Sequence, residues 1–414
     1  MKLKKIAALV MSAVMVTSFT ACGNDSGKEK GSDGDKTITF WSVFTGGDGT
    51  AMQKIIDAYN ATNPEYTVEH IMTEQGELYT KLPLVVNSQS GVPDLCIQHV
   101  DRLPSNSKSN MYMPLDNYIS ANGKIKGDQY IDSAWNMGVV DGSRYGIPLD
   151  LHSYVTYYNK DLVEKYCPNV LDDRMITFDE IAGFADQAAA DGVYTYAITW
   201  PRYELLSWYY QLGGKLTEDG KMPAFNNEAF QKVFQDFADA VAKKWCTQDG
   251  DQPNNLFAQG KLMFLPEGTW TLSTVEYTGI NFGETYMITY DTANMVQWAS
   301  SHQFVIPRND KMSDEKANAI MDFISFVGEN CYEWADYGQI PASKAVLNDQ
   351  RVNDLPQKFL IDNPNALVIS DYVYYGAVVE ALDTVAYEIP FGRVKPADGL
   401  QSAQQLVEDN IKNQ

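Results

Sequence analysis

Residues 36–98 switch four times between two periodicities, and this most limits what the chain can become. Lys36 to Val43 (KTITFWSV) is β-branched and aromatic, as a strand should be, and runs into Thr45-Gly46-Gly47-Asp48-Gly49. Met52, Ile55, Ile56 and Tyr59 then recur at helical spacing until Asn63-Pro64. Tyr66 to Met72 reads as a second strand, Leu78 to Ser88 as a helix, and Pro93 to Gln98 as a third strand. Strand, helix, strand, helix, strand predicts a parallel α/β sheet.

A second α/β block follows. Thr177-Phe178-Asp179-Glu180 has the form of a capping box before a helix to about Ala190. Tyr194 to Thr199 reads as a strand, and Glu204 to Leu212 as an aromatic helix ended by Gly213-Gly214. Asn226 is the expected cap of an amphipathic helix whose Phe230, Val233, Phe234 and Phe237 share one face. Leu256 to Leu265 reads as a short helix, a glycine and a β-like run. Ser313 to Gly328 has a clear helical stripe, and the tail from Asp354 to Gln414 is helical again. At 414 residues, two domains are expected.

The first 21 residues stand apart. Lys2, Lys4 and Lys5 precede an apolar stretch, Ile6 to Phe19, that is short for a membrane span, and small residues lead to Cys22. This is an export leader, and Cys22 falls where a lipidated cysteine would become the new N-terminus. Phe19 departs from the aliphatic residue usual in that motif, and a plain secretory leader is the alternative. Residues 22–36 are Gly, Ser and charge, a flexible tether. No other segment approaches the ~18 apolar residues of a membrane helix.

Without the leader's three lysines, 29 basic residues face 54 acidic ones, a net charge of −25. Such a body repels nucleic acid and anionic lipid surfaces. Solubility alone accounts for the acidity. Cys96, Cys167, Cys246 and Cys331 have no CxxC and no metal-type spacing, so disulfides and buried free thiols are both open.

Enzyme motifs are scarce: no GxSxG, HExxH or P-loop occurs. Asp150 and Glu267 could be imagined as a glycosidase pair, but a chain with 54 acids offers many such pairs. No two of the four histidines are within helical reach, so nothing local supports a zinc site. Trp41, Trp200, Trp270 and Trp298 are more telling, because each is expected where a strand gives way to a loop. Ligands of α/β sheets bind at such ends, and an indole can stack on the C–H face of a sugar. Trp135, Trp245 and Trp334 lie in helical patterns and are expected to be core. In YGIPLDLHSYVTYYNKDL (Tyr145 to Leu162), Asp150 and His152 interrupt an otherwise buried-looking strand.

Several pieces in order resemble the extracellular solute-binding proteins of ABC importers, in the sugar-binding branch. They are Phe40 to Thr50, GVPDL (Gly91 to Leu95), MPLDNYI (Met113 to Ile119), YGIPLD with YYNKDL, TFDEI (Thr177 to Ile181), and FAQGKLMFLPEGTW (Phe257 to Trp270). The resemblance covers nearly the whole chain after the leader. It implies a two-lobe periplasmic-binding-protein-like α/β fold with a hinge and an interlobe ligand cleft. Lobe 1 would hold 37–150 and 302–338, and lobe 2 would hold 151–301 and 339–414. Any disulfides would then pair Cys96 with Cys331 and Cys167 with Cys246.

The implied function is capture of a carbohydrate for an ABC permease by a monomer lipid-anchored outside the cell, without catalysis, cofactor or assigned metal. The implied ligand contacts are Trp41, Asp48, His99, Asp101, Asp150, His152, Trp200, Glu267, Trp270, Trp298 and His302. Asp150-Leu151-His152 would form a lobe crossover at the cleft floor, outside any core. Three histidines near one cleft mouth are the departure from the family pattern. A secreted carbohydrate-active enzyme is one rival, and an acidic cleft for a polyamine or peptide is another.

Overall fold

The computed structural model describes residues 36–290 and 292–413. The leader, Cys22 and all of the tether but Lys36 lie outside the described residues. In chain order the strands begin with β1 (Thr37–Ser42), β2 (Thr67–Met72), β3 (Leu95–His99), β4 (Val139–Val140), β5 (Ser143–Arg144) and β6 (Ile147–Pro148). There follow β7 (Asp150–Asn159), β8 (Tyr194–Tyr196), β9 (Leu262–Gly268) and β10 (Phe282–Thr285). The last are β11 (Gln297–Ser300), β12 (His302–Val305), β13 (Ile340–Pro341) and β14 (Leu367–Val368).

Two sheets organise an α/β, two-lobe fold. The first has the order β2-β1-β3-β12-β6, with β1 parallel to β2 and β3, and β12 antiparallel to β3 and β6. The second has the order β14-β11-β7-β9-β8, with β10 and β13 also pairing with β7. The chain passes between sheets from Pro148 to Asp150, again at Ser301, and a third time to reach β13. The first two passages are one residue long, so strands run almost continuously from sheet to sheet there, whereas the third goes through the helices Asp314–Asn330 and Tyr332–Asp336.

Local signals explain the elements. Thr177 and Glu180 make the reciprocal capping box before the helix Phe178–Ala190. The helix Glu228–Ala242 turns Phe230, Val233, Phe234 and Phe237 inward, each burial being worth about 1.5–3 kcal/mol. Its cap is Asn227, whose side chain accepts the Phe230 N–H at 3.1 Å, rather than Asn226. Asn226 instead bonds Gln401 and Gln404 of the last helix.

The largest apolar core is confined to the second-sheet side, gathering Tyr154, Trp208, Phe230, Phe264 and Trp298 with Val378 and Leu400 of the tail. A second core is built on Phe40, Ile97, Phe304 and Phe323 but also takes in Val155, Leu265 and Leu272. Packing is therefore continuous across the strand passages.

Two expectations are corrected. Asp150-Leu151-His152 does not stay outside a core: β7 begins at Asp150, and Asp150 and His152 are 0% and 1% exposed. Their polar groups are tolerated because they are bonded to one another and to β12. Cys96, Cys167, Cys246 and Cys331 are all free and buried, so neither Cys96–Cys331 nor Cys167–Cys246 is formed. Burial pushes the Cys96 thiol up to about 12. In a chain carrying Cys22→Ser, no thiol should react with Ellman's reagent until denaturant is added, and four should react then. Fewer than four in the unfolded chain would mean that a disulfide exists.

Candidate functional site

The site is assembled by strand register. In the β3–β12 pair His302 faces His99, and in the β7–β11 pair His152 faces Ser300. Because β11 and β12 are separated only by Ser301, the two ladders bring three histidines together. Ring centroids lie 4.2 Å apart for His152–His302, 4.6 Å for His99–His302 and 5.5 Å for His99–His152.

Asp150 lies beneath them. Its Oδ1 accepts from the His302 backbone N–H at 2.9 Å and stands 3.2 Å from His152 Nδ1. Its Oδ2 is 2.8 Å from His302 Nδ1 and accepts the Trp334 Nε1–H at 2.8 Å. Burial by itself would raise this carboxyl. The charge of His302 and the hydrogen bonds from both histidines win, holding it well below the usual carboxylate range. Burial and then the neighbouring His302 push the His152 imidazole down to about 4. Burial and both neighbouring imidazoles hold His99 well below its ordinary value.

These histidines form one end of a cavity of about 500 Å³ between the sheets. Two larger concavities, of about 690 and 560 Å³, contain no histidine, and neither brings indoles together. The cavity wall includes Asp48, His99, His152, Trp200, Trp270, Trp298 and His302. Trp200 precedes the helix Pro201–Gln211 and is 51% exposed. Trp270 follows β9 in a single helical turn, its ring 5.7 Å from that of His152. A Cβ at Gly268 would lie 2.1 Å from the Trp270 ring, so only glycine lets the indole fold back over the strand end. Asp48 is in the first turn of the helix Gly47–Ala61 and accepts the Gly46 and Gly49 N–H groups through Oδ1, at 3.0 and 2.8 Å.

Four expected residues are elsewhere. Trp41 is inside β1 and packs in an apolar core under Lys81. Asp101 is half-buried on the turn after β3, packed against the backbone at Gly376. Asp150 supports the histidines from behind. Glu267 is buried in β9, bonded by the Gly268 N–H at 3.2 Å and the Thr271 hydroxyl at 3.4 Å, and burial pushes it up to about 7. Trp298 lines the cavity but from the middle of β11, 5% exposed, with its Nε1–H donated to the Tyr375 hydroxyl at 2.8 Å.

This geometry disfavours both rivals. Neither Asp150 nor Glu267 lines the cavity, so the imagined glycosidase pair is not assembled there. Of Asp48, Asp101, Asp150 and Glu267, only Asp48 reaches the wall; Glu74 is there too, but so is Arg202, so the wall is not the acidic cleft those four would have built. Sequence reasoning missed Arg202 and Tyr203, which follow Trp200-Pro201 and also line the cavity. The Tyr203 ring lies 3.9 Å from that of Trp298. Their signal was the polar-aromatic pair at the start of a helix read only as packing.

The family described as "Bacterial extracellular solute-binding protein" matches residues 54–359. The chain belongs to that family. Maltodextrin-binding protein MdxE of Bacillus subtilis (strain 168) is 21% identical to this solute-binding protein over 428 residues, covering 99% of this chain and 98% of the relative. The maltooligosaccharide ABC transporter solute-binding lipoprotein of Streptococcus pneumoniae serotype 4 is 21% identical over 435 residues, with 99% and 98% covered. Among solved structures, the GacH receptor of Streptomyces glaucescens GLA.O matches with a TM-score of 0.79 at 18% identity, over 91% of this solute-binding protein and 98% of that chain. That likeness shows the two-lobe fold.

Proposed function

We propose that the protein captures a mono- or oligosaccharide in the cavity between its sheets and delivers it to the permease of an ABC importer. In this reading it works as a monomer, held outside the cell by lipid on Cys22, and performs no chemistry. Lobes 37–150 with 302–338, and 151–301 with 339–414, would close over the sugar by population shift.

The observation that carries the reading is the wall itself. Trp200, Trp270 and Trp298 offer indole surface, while Asp48 and the histidines offer hydroxyl partners a few ångströms away. The relatives named for maltodextrin and maltooligosaccharide binding support a sugar as the solute.

Trp270→Ala is expected to weaken binding at least about tenfold, because stacked aromatics in pockets are the usual hot spots. Titration calorimetry with maltose through maltotetraose, and with galacto- and arabino-oligosaccharides, provides the measurement. Equal affinity for the variant and the parent would place the sugar elsewhere. Loss of palmitate labelling in Cys22→Ser tests the anchor separately.

A further inference from the structure

The three histidines are arranged for more than hydrogen bonding to hydroxyls. One ring nitrogen from each lies within 4.8 Å of those of the other two. The Nδ1 atoms are already engaged, those of His152 and His302 by Asp150 and that of His99 by the Tyr79 hydroxyl. Asp150 is ionised and only accepts, so His152 and His302 direct Nδ1–H at it and keep Nε2 as the nitrogen available to a ligand. The Tyr79 oxygen can accept in the same way, which lets His99 adopt the Nδ1–H tautomer too.

The three Nε2 atoms are then left on the cavity wall with no donor among the described side chains bonded to them. A cation resolves this. The negative charge of Asp150 directly behind favours one, and the Arg202 guanidinium on the same wall is paired with Asp383.

We propose that His99, His152 and His302 bind one divalent transition-metal ion of the zinc type through Nε2, with a coordination position open to the cavity. Three imidazoles, each bonded at its second nitrogen to a carboxylate or hydroxyl, are the donor set such an ion takes when a fourth position is kept for a ligand. Zn–N bonds of about 2.1 Å set nitrogens ~3.4 Å apart, so nitrogens up to 4.8 Å apart need to close by up to about 1.4 Å. The open position faces the space bounded by Trp270 and Trp298, where an oxygen of the solute would complete the shell.

The test uses the full chain carrying Cys22→Ser, stripped with chelator and titrated with Co²⁺ and Zn²⁺. One Co²⁺ per chain is expected, with the intense visible bands of a four- or five-coordinate site, displaced by Zn²⁺. X-ray absorption of the Zn²⁺ form should count three imidazoles. His152→Gln and His302→Gln should each lower affinity at least about a hundredfold, and Asp150→Asn about 10–100-fold. A weak octahedral cobalt spectrum, fewer than three imidazoles, or unchanged binding by folded His→Gln variants would overturn the site. The absorption count needs no variant, so it decides the matter even if the variants fail to fold. Sugar titrations in chelator are read independently of all these outcomes.

Discussion

Asp150→Ala is expected to lower the free energy of unfolding by about 3–5 kcal/mol, the scale for breaking a buried, paired charge. The carboxylate is fully buried and serves four donor groups: two imidazoles, the His302 N–H and the Trp334 indole N–H. Alanine leaves all four without a partner in a place that water does not reach, and each unsatisfied donor costs about 1–3 kcal/mol. The loss should be less than their sum, because the histidine rings can turn toward the cavity. Urea unfolding provides the test, through a lower midpoint at unchanged m. A change below about 1 kcal/mol would mean that Asp150 does not organise this part of the fold. Asp150→Asn should fall between, since its amide nitrogen would confront donors with another donor.

The second large effect concerns pH. Glu284 in β10 faces Tyr157 of β7, is 6% exposed, and has no hydrogen-bond partner on either carboxyl oxygen. Burial pushes its carboxyl up to about 8, with Arg174 pulling only partly back. Glu267 moves the same way, to about 7, and Glu204, also without partners on either oxygen, is raised well above its ordinary value.

The sign follows from proton counting. Between pH ~4.5 and ~8 the folded chain keeps a proton on Glu284 that the unfolded chain has released. Stability from this group is therefore fully present below about pH 4.5 and is lost as pH rises through 8. At about 1.4 kcal/mol per pKa unit, Glu284→Gln should reduce the fall in unfolding free energy between pH 5 and pH 8 by on the order of 3 kcal/mol. Urea melts at both pH values measure it. An unchanged slope would show that Glu284 is ionised inside the fold.

Much of the architecture was legible because its signals are local. Helical spacing in 52–59 and 230–237, the Thr177–Glu180 box and the β-branched run before Gly46 each involve residues a few positions apart. Local physics also explains the errors. Asn226 and Asn227 are both good caps, and only the direction of the chain into the helix chose the second. Trp41 and Trp298 were read at strand ends because aromatic runs blur where a strand stops, whereas both lie within strands.

The site itself was legible only as a list of residue types. The alternation of strands and helices and the supply of tryptophans are written in the chain and need no contacts to be read. That His99, His152 and His302 share one spot, with Asp150 behind them, was decided by the registers of β3 with β12 and β7 with β11. Residues about fifty and two hundred positions apart meet only after two sheets have paired and joined at Ser301. No periodicity records that pairing, because it is fixed by which strand edges remain open once the cores have packed. It also decided that Asp150, polar inside an apolar run, is a buried support rather than a residue of the cavity wall.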